Sequence, residues 1–289
     1  MKALINRGKN LIFKFTLDPE EIKDHRHPVH LDYEGGKYRQ EELIKLVRDS
    51  IIHFALTPEE FDRYVTTNGD VGEASRVAWS RISNVSRNSK GDYGEVLLFV
   101  ILKIFFPDSE RFVTKARLRS STKDQIKGFD CAHFTVEGDQ IVLWLGEAKF
   151  HQSFSGAIAD AIKSITEHCE SQYLKDEFSI LFPNIELNRD YPHREKLEAI
   201  LNGSQSLDTV KFKIPVLLTY DCAKIKNHSD ISTEEFIREM KEEFMEKYAS
   251  IESRELVLKD NFEVVFIVFP LESVQAIKQE LEKIENVLR

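Results

Sequence analysis

Residues 127–150, with the sequence KGFDCAHFTVEGDQIVLWLGEAKF, constrain the fold more than any other stretch of the chain. Two apolar runs, residues 129–136 and 141–150, flank a short turn that contains Gly138. Apolar runs joined by such a turn are typical of tightly connected antiparallel strands. The stretch therefore predicts a β-hairpin.

The turn also predicts which residues of the hairpin face each other. If Glu137 pairs with Gln140, continuing the pairing along both strands places Asp130 directly across from Glu147. Because side chains alternate between the two faces of a strand, Lys149 shares the face of Glu147. The remaining members of this face are apolar: Ala132, Phe134, Val136, Ile141, Leu143 and Leu145. The face is thus apolar near the turn and charged at its open end.

Two carboxylates on an apolar face need a compensating charge. Asp130 and Glu147 would repel each other and lose hydration, at a cost on the order of several kcal/mol. A divalent cation between them removes this cost, and oxygen ligands suit Mg²⁺ or Mn²⁺. The ammonium of Lys149 would point to the same place, where it can orient an attacking water or stabilise developing charge. The open end of the hairpin therefore predicts a metal site with a catalytic lysine.

Two short motifs in the hairpin resemble the D...(D/E)xK signature of restriction-endonuclease-like nucleases, the PD-(D/E)xK superfamily. They are Gly128-Phe129-Asp130 and Glu147-Ala148-Lys149. The resemblance implies an α/β fold with an αβββαβ core, in which helices flank a mixed central sheet. The predicted elements follow that order: an apolar helix before Pro107, strand 112–118, the hairpin, helix 155–173 and strand 210–220.

A further acidic residue begins the apolar helix that precedes the hairpin. Glu95 lies in the first turns of this helix, where the helix dipole favours a carboxylate. One interpretation of Glu95 is therefore purely structural. The resemblance favours the other interpretation, since the superfamily places a metal-associated Glu in this helix.

Three segments sharpen the resemblance: GDYGEVLL, KGFDCAHF and LWLGEAKFH. With a helical N-terminal extension, they resemble HamA, the nuclease subunit family of the Hachiman bacterial anti-phage defence system. That resemblance implies an effector DNase held inactive by a superfamily 2 helicase partner, HamB. The helicase would release the DNase on meeting aberrant or damaged DNA.

The same resemblance implies a ligand set for one or two Mg²⁺ ions, with Mn²⁺ as an alternative. The implied metal ligands are Asp130, Glu147, Glu95 and the carbonyl of Ala148. Lys149 would position water or stabilise the transition state. The implied location is the bacterial cytoplasm.

The net charge of −9 at pH 7 disfavours a general affinity for nucleic acid, because phosphate neutralisation normally supplies most non-specific affinity. A local basic segment nevertheless precedes Asp130. It is interpreted either as a phosphate-contacting edge or as a solvated strand and loop. Its predicted nucleic-acid contacts are Lys115, Arg117, Arg119, Lys123 and Lys127.

The domain organisation predicted from these patterns is a mainly helical N-terminal extension, residues 1–85, followed by the nuclease core, residues 86–289. Helices are predicted at residues 39–54, after the cap residue Thr57 and at residues 73–82. His25, His27 and His30 are predicted to lie in a surface loop, since Pro28 breaks any helical ligand spacing. The later segments are an insertion at 174–209 with one helix near 194–201, helix 232–248, strand 262–269 and helix 271–288.

Several classes of protein are excluded by composition. The longest nearly apolar run, residues 96–106, is too short to span a bilayer, and no secretory signal is recognisable near residue 1. Three widely separated cysteines, Cys131, Cys169 and Cys222, favour a reducing cytoplasm over a disulfide framework or zinc site. Two other functions stay open: a catalytically inactive DNA-binding or helicase-regulatory subunit, and an RNase of the same fold, since such a metal site acts on the phosphate and not on the sugar.

Overall fold

The computed structural model describes residues 1–82, 92–118 and 128–288. Within these residues a seven-stranded sheet lies at the centre, and a small separate hairpin stands beside it. The strands are β1 (Ile12–Lys14), β2 (Arg26–Leu31), β3 (Tyr33–Glu34), β4 (Lys37–Tyr38), β5 (Glu110–Arg111), β6 (Cys131–Glu137), β7 (Gln140–Phe150), β8 (Lys211–Asp221) and β9 (Phe262–Leu271).

Most helices of the described residues agree with the predicted amphipathic and apolar segments, whereas α1 was not predicted. They are α1 (Lys2–Lys9), α2 (Gln40–Ala55), α3 (Pro58–Phe61), α4 (Val71–Ile82), α5 (Asp92–Phe105), α6 (Phe154–His168), α7 (Ser171–Leu181), α8 (Arg194–Leu201), α9 (Glu234–Glu252) and α10 (Val274–Leu288). The predicted cap is confirmed at α3, where Thr57 and Glu60 each accept a hydrogen bond from the backbone N–H of the other. Such a reciprocal pair satisfies two free donors at a helix start.

The sheet is mixed, with the order β1-β2-β9-β8-β7-β6-β5. β2, β9, β8 and β7 run parallel to one another. β1 pairs antiparallel with β2, β6 with β7, and β5 with β6. β8 and β9 are nearly continuous apolar runs, as expected for parallel strands covered on both faces. The predicted α/β class with a mixed sheet flanked by helices is therefore confirmed.

The predicted hairpin and its register are also confirmed. Glu137 pairs with Gln140, Ala132 with Leu145 and Phe134 with Leu143. Gly138 supplies the positive φ of +60° that the turn requires. Since the pairing continues to the open end, the segment before β6 meets the last residues of β7.

Helices α5 and α6 cover opposite faces of β7. α5 approaches the face of Ala148 and Phe150, because a Cβ atom built on Gly94 would lie 2.9 Å from the Cβ of Phe150. α6 covers the other face, where Ser164 contacts Lys149. The C-terminal half of β7 is thus enclosed between two helices.

The prediction of a His-rich surface loop was wrong for His27 and His30, whereas His25 lies in a turn and is partly exposed. Residues 26–31 form β2, whose six residues are all buried and which pairs with β9 in parallel. His30 packs against the rings of Phe13, Phe15 and Phe236, and burial lowers its pKa. A neutral imidazole behaves as an aromatic ring in such surroundings, so a segment that looks polar in sequence occupies the interior of the sheet. β1 and β2 thereby join the N-terminal residues to the same sheet as the hairpin.

The predicted strand 112–118 was also wrong. The strand is limited to β5, and residues 115–118 form a 3₁₀ turn. Phe112, Val113 and Thr114 are buried in succession, a pattern that a strand with one solvated face does not show. Thr114 turns towards Glu186, to which its N–H and hydroxyl donate at 2.8 and 2.7 Å. Because Thr114 bonds to Glu186, which is distant in sequence, the segment leaves the sheet.

The single helix predicted at 155–173 is two helices, and the insertion at 174–209 contains more helix than expected. α6 ends at His168, and α7 starts anew after Glu170, which has an extended backbone with ψ of 137°. The predicted helix near 194–201 is confirmed as α8. The break at residues 169–170 allows α7 to change direction and to pack its Glu177 beside the hairpin.

One arginine ties the sheet edge to α2. Arg111 of β5 donates to the carbonyl oxygens of His53, Phe54 and Leu56 at 2.8–3.0 Å. These carbonyls belong to the end of α2, where the helix itself supplies no donors.

We expect Arg111→Lys to lower the free energy of unfolding by about 2–4 kcal/mol, because an ammonium cannot reproduce three guanidinium bonds in a fixed geometry. Urea unfolding followed by circular dichroism measures this difference. The matched control is Arg117→Lys, at an exposed position of the same segment, where a change below about 0.5 kcal/mol is expected. Equal effects of the two substitutions would show that the three carbonyl contacts do not stabilise the fold.

Candidate active site

Asp130 is held against the C-terminal half of β7 by backbone hydrogen bonds. Its N–H donates to the carbonyl of Gly146 at 2.7 Å, and its Oδ2 accepts from the N–H of Ala148 at 2.7 Å. The carboxyl group of Asp130 is thereby fixed beside the segment that contains Glu147 and Lys149. This is the juxtaposition predicted from the hairpin register.

Glu147 and Lys149 lie on the α6 side of β7. The Lys149 ammonium donates to Glu147 Oε1 at 2.5 Å and to Ser164 Oγ at 2.9 Å. Glu147 is only 4% exposed, and its second oxygen, Oε2, is buried without a hydrogen bond from any described residue. The imidazole Nδ1 of His168 lies 3.5 Å from Oε2. One oxygen of Glu147 is thus paired and the other is left for a further partner.

The two carboxyl groups differ in their preferred protonation. Burial raises the pKa of Asp130 well above its usual value, and the charges of Glu147 and Glu95 raise it further. Burial alone would also raise the pKa of Glu147, but His168 and Lys149 outweigh it and lower that pKa. The site therefore contains an ionised glutamate beside an aspartate that resists ionisation until a cation is near.

Glu95 approaches the site from the opposite face of β7. Gly94 allows this approach, since a Cβ atom at this position would crowd the Cβ atoms of Phe150 and Ala148 at 2.9 and 3.5 Å. The first turn of α5 therefore passes directly against the end of β7, and the charge of Glu95 acts on Asp130. The structure brings Asp130 to the segment of Glu147 and Lys149, and Glu95 lies near enough for its charge to act on Asp130.

A divalent cation fits the chemistry of this donor set. Within the described residues, no three His, Cys, Asp or Glu side chains surround one point at metal-binding distance. Mg²⁺ is commonly held by one or two carboxylates, with water completing its octahedron. Asp130 and Glu147 meet that requirement, because Glu147 Oε2 accepts no hydrogen bond from the described residues, and burial, with the charges of Glu147 and Glu95, raises the pKa of Asp130. Glu95 and the Ala148 carbonyl stay predicted ligands.

The predicted nucleic-acid contacts have different environments. Lys115 is largely buried, and its ammonium donates to the carbonyl of Phe129 and to the carboxylate of Glu177. Arg117 is exposed. The other three predicted contacts lie outside the described residues: Arg119, Lys123 and Lys127. In this structure Lys115 therefore supports the segment that leads to Asp130.

Gly128 passes directly over the carboxylate of Glu177. A Cβ atom at position 128 would lie 2.6 Å from Glu177 Cδ, and the backbone has a φ of +149°, which favours glycine. Glu177 in turn is bound by Lys115. The glycine of the KGFD motif thus allows a buried ion pair to lie under the segment that positions Asp130.

Sequence reasoning missed Ser164, His168 and Glu177. Ser164 and His168 are four positions apart on α6, at the edge of the apolar stripe formed by Ala157 and Ala161. Ser164 and His168 are polar residues that continue an apolar helix face, and such residues indicate a polar site beneath that face. The sequence therefore did contain a signal for both residues. Glu177 gave no such signal, because it lies 62 positions from its partner Lys115.

The fold and site define an α/β protein with a mixed central sheet. Its candidate site lies at β7, where the antiparallel and parallel strands meet, and consists of buried Glu147, its partner Lys149 and the neighbouring Asp130. A model of the family described as HamA matches residues 9–284, nearly the whole chain. The chain therefore belongs to the HamA family, which makes it a component of the Hachiman anti-phage defence system. A search of curated proteins finds no match.

Among the described residues, no helix combines the length and the apolar character needed to cross a bilayer.

Proposed function

We propose that this chain is the DNase effector of its defence system and hydrolyses phosphodiester bonds with Mg²⁺. The observation that carries the proposal is the convergence of Asp130, Glu147 and Lys149 at the C-terminal half of β7. A structural role alone does not account for this cluster, because burial of an acidic pair is costly without a cation. The predicted restriction-endonuclease-like core corresponds to α5, β5, β6, β7, α6 and β8 in this proposal.

Asp130 and Glu147 would hold the metal ion, with Glu95 and the Ala148 carbonyl as additional ligands and Mn²⁺ as an alternative metal. The ion would supply Lewis acidity at the scissile phosphate and make water a stronger nucleophile. Lys149 would leave Glu147 Oε1 and orient the attacking water or stabilise negative charge on the phosphate oxygens. Ser164, which accepts a hydrogen bond from Lys149, would limit the positions that the ammonium can take.

A partner is expected to control access to DNA. With a net charge of −9, the chain alone should be repelled by a polyanion outside a local basic surface. We propose that the superfamily 2 helicase HamB holds the nuclease inactive and releases it on aberrant or damaged DNA. Arg117 and the basic residues that follow it would contact phosphates, whereas a phosphate contact by Lys115 would require its ion pair with Glu177 to open.

Cleavage of supercoiled plasmid tests this proposal. The full chain should nick or degrade the plasmid in Mg²⁺ or Mn²⁺ and not in EDTA, and addition of the helicase should change the rate. Glu147→Ala and Lys149→Ala should each abolish cleavage by removing a metal ligand or the catalytic cation. A single-stranded RNA in parallel reactions distinguishes a DNase from an RNase. Absence of cleavage in every condition, with the helicase supplied, would instead favour a catalytically inactive regulatory subunit.

A further inference from the structure

His168 is enclosed at the base of the candidate site by two aromatic rings. Its imidazole stacks on Tyr173 with ring centres 4.5 Å apart and an interplanar angle of 21°. The ring of Phe129 meets the imidazole nearly at right angles, at 5.1 Å. These contacts hold the ring without using either nitrogen, and the side chain is only 13% exposed.

Three polar atoms at this place make no hydrogen bond within the described residues. Glu147 Oε2, His168 Nδ1 and Tyr173 Oη are all buried without a hydrogen bond. The first two lie 3.5 Å apart, slightly beyond the length of a good N–H···O bond. Buried polar groups without partners are rare in proteins, so their occurrence at one site indicates a function that this conformation does not satisfy.

From this geometry we propose that His168 is a positioning residue, which holds the Glu147 carboxylate in the orientation that binds a divalent cation. The inference rests on the proposed metal-dependent function. A small rotation of Glu147 would bring Oε2 within hydrogen-bond distance of the imidazole, while Oε1 exchanges Lys149 for the cation. A carboxylate held in this way loses less conformational freedom on metal binding. His168 itself contacts neither the metal nor the substrate.

The aromatic rings determine how this role can be tested. His168→Phe should keep a ring between Phe129 and Tyr173 but removes both nitrogens. His168→Gln restores a donor without the ring. Tyr173→Phe keeps the stack and removes the unpaired hydroxyl. Unfolding temperatures of the metal-free variants then separate lost packing from a lost hydrogen bond.

Binding of Mn²⁺ to the purified full chain, measured by electron paramagnetic resonance, tests the proposal directly. We expect His168→Phe to weaken Mn²⁺ binding by about 10–100-fold, the usual effect of removing a residue that orients a metal ligand. His168→Gln should recover much of this loss, and Tyr173→Phe should bind Mn²⁺ like the wild type. In plasmid cleavage, His168→Phe should raise the half-maximal Mn²⁺ concentration by a similar factor and change the rate at saturating metal much less.

Glu147→Gln is the reference variant that separates the two proposals. If Mn²⁺ binding is lost in Glu147→Gln but unchanged in His168→Phe, the metal site stands and His168 is a packing residue, which overturns the present inference. If the wild type binds no more Mn²⁺ than Glu147→Gln, both the metal-dependent function and the role of His168 are overturned. Weakened binding in His168→Phe with an unchanged unfolding temperature supports both.

Discussion

Asp130→Asn is expected to abolish metal-dependent cleavage and, at the same time, to stabilise the metal-free protein. Asparagine keeps the oxygen that accepts from the Ala148 N–H but lacks the negative charge needed to bind a cation. Loss of several kcal/mol of transition-state stabilisation corresponds to a decrease in rate of about 10³-fold or more. Plasmid cleavage in Mg²⁺ measures the first effect, and denaturant unfolding in EDTA measures the second.

The gain in stability should depend on pH. Burial and the charges of Glu147 and Glu95 raise the pKa of Asp130 above its usual value of 3.8. Protonated Asp130 therefore contributes its full stabilisation of the folded protein below pH 3.8. The contribution is lost as the pH rises through the raised pKa of the folded protein. Asparagine does not titrate, so the variant should exceed the wild type in stability most at high pH and least near pH 4.

The control for Asp130→Asn is the same substitution at Asp139, in the turn of the same hairpin. The side chain of Asp139 is fully exposed, and we expect Asp139→Asn to change neither cleavage nor, beyond about 0.5 kcal/mol, the free energy of unfolding. A catalytically inactive Asp130→Asn protein that is less stable than the wild type would contradict the uncompensated charge at this site. An Asp130→Asn variant that still cleaves the plasmid would contradict the role of Asp130 as a metal ligand.

Gly128→Ala is expected to cause a second large effect, on folding and on the position of Asp130. The added methyl group would collide with the Glu177 carboxylate, and the backbone φ of +149° is unfavourable for alanine. Overpacking and backbone strain each cost about 1–3 kcal/mol. We therefore expect a loss of about 3 kcal/mol or more in the free energy of unfolding, with reduced cleavage because Asp130 is displaced.

Gly138→Ala provides a matched control, since Gly138 also has a positive φ, +60°, but no atom of the described residues lies within 4 Å of its added Cβ. This variant reports backbone strain alone and should lose about 1–2 kcal/mol. The difference between the two variants, measured by urea unfolding, gives the cost of the clash with Glu177. If Gly128→Ala is no less stable than Gly138→Ala, the close contact between Gly128 and Glu177 does not exist in solution.

The hairpin was predictable in detail because its information is local. The turn residues and the alternation of apolar side chains specify both the strands and the register, which placed Asp130 beside the end of β7. The strands β8 and β9 and the helices α2, α5, α8, α9 and α10 were predictable for a similar reason. Each has a continuous apolar run or a helical periodicity that does not depend on distant residues.

The errors arose where distant contacts override local pattern. Arg26 and His27 of β2 look like loop residues, yet β9 supplies a parallel partner more than two hundred positions away. Thr114 leaves the expected strand because Glu186 accepts its two hydrogen bonds. Neither partner is recognisable in the sequence around the segment that it stabilises.

The sequence by itself determined the hairpin, its register and the meeting of Asp130, Glu147 and Lys149. Glu147 and Lys149 belong to β7, and Asp130 directly precedes β6, which one short turn joins to β7. Only the tertiary structure decided what surrounds them: Gly94 and Glu95 on one face, Ser164 and His168 on the other, and the buried pair of Lys115 with Glu177 below the Asp130 segment. The physical reason is that these surroundings come from helices and loops far apart in sequence. Their positions depend on the packing of the whole sheet, which no local propensity encodes.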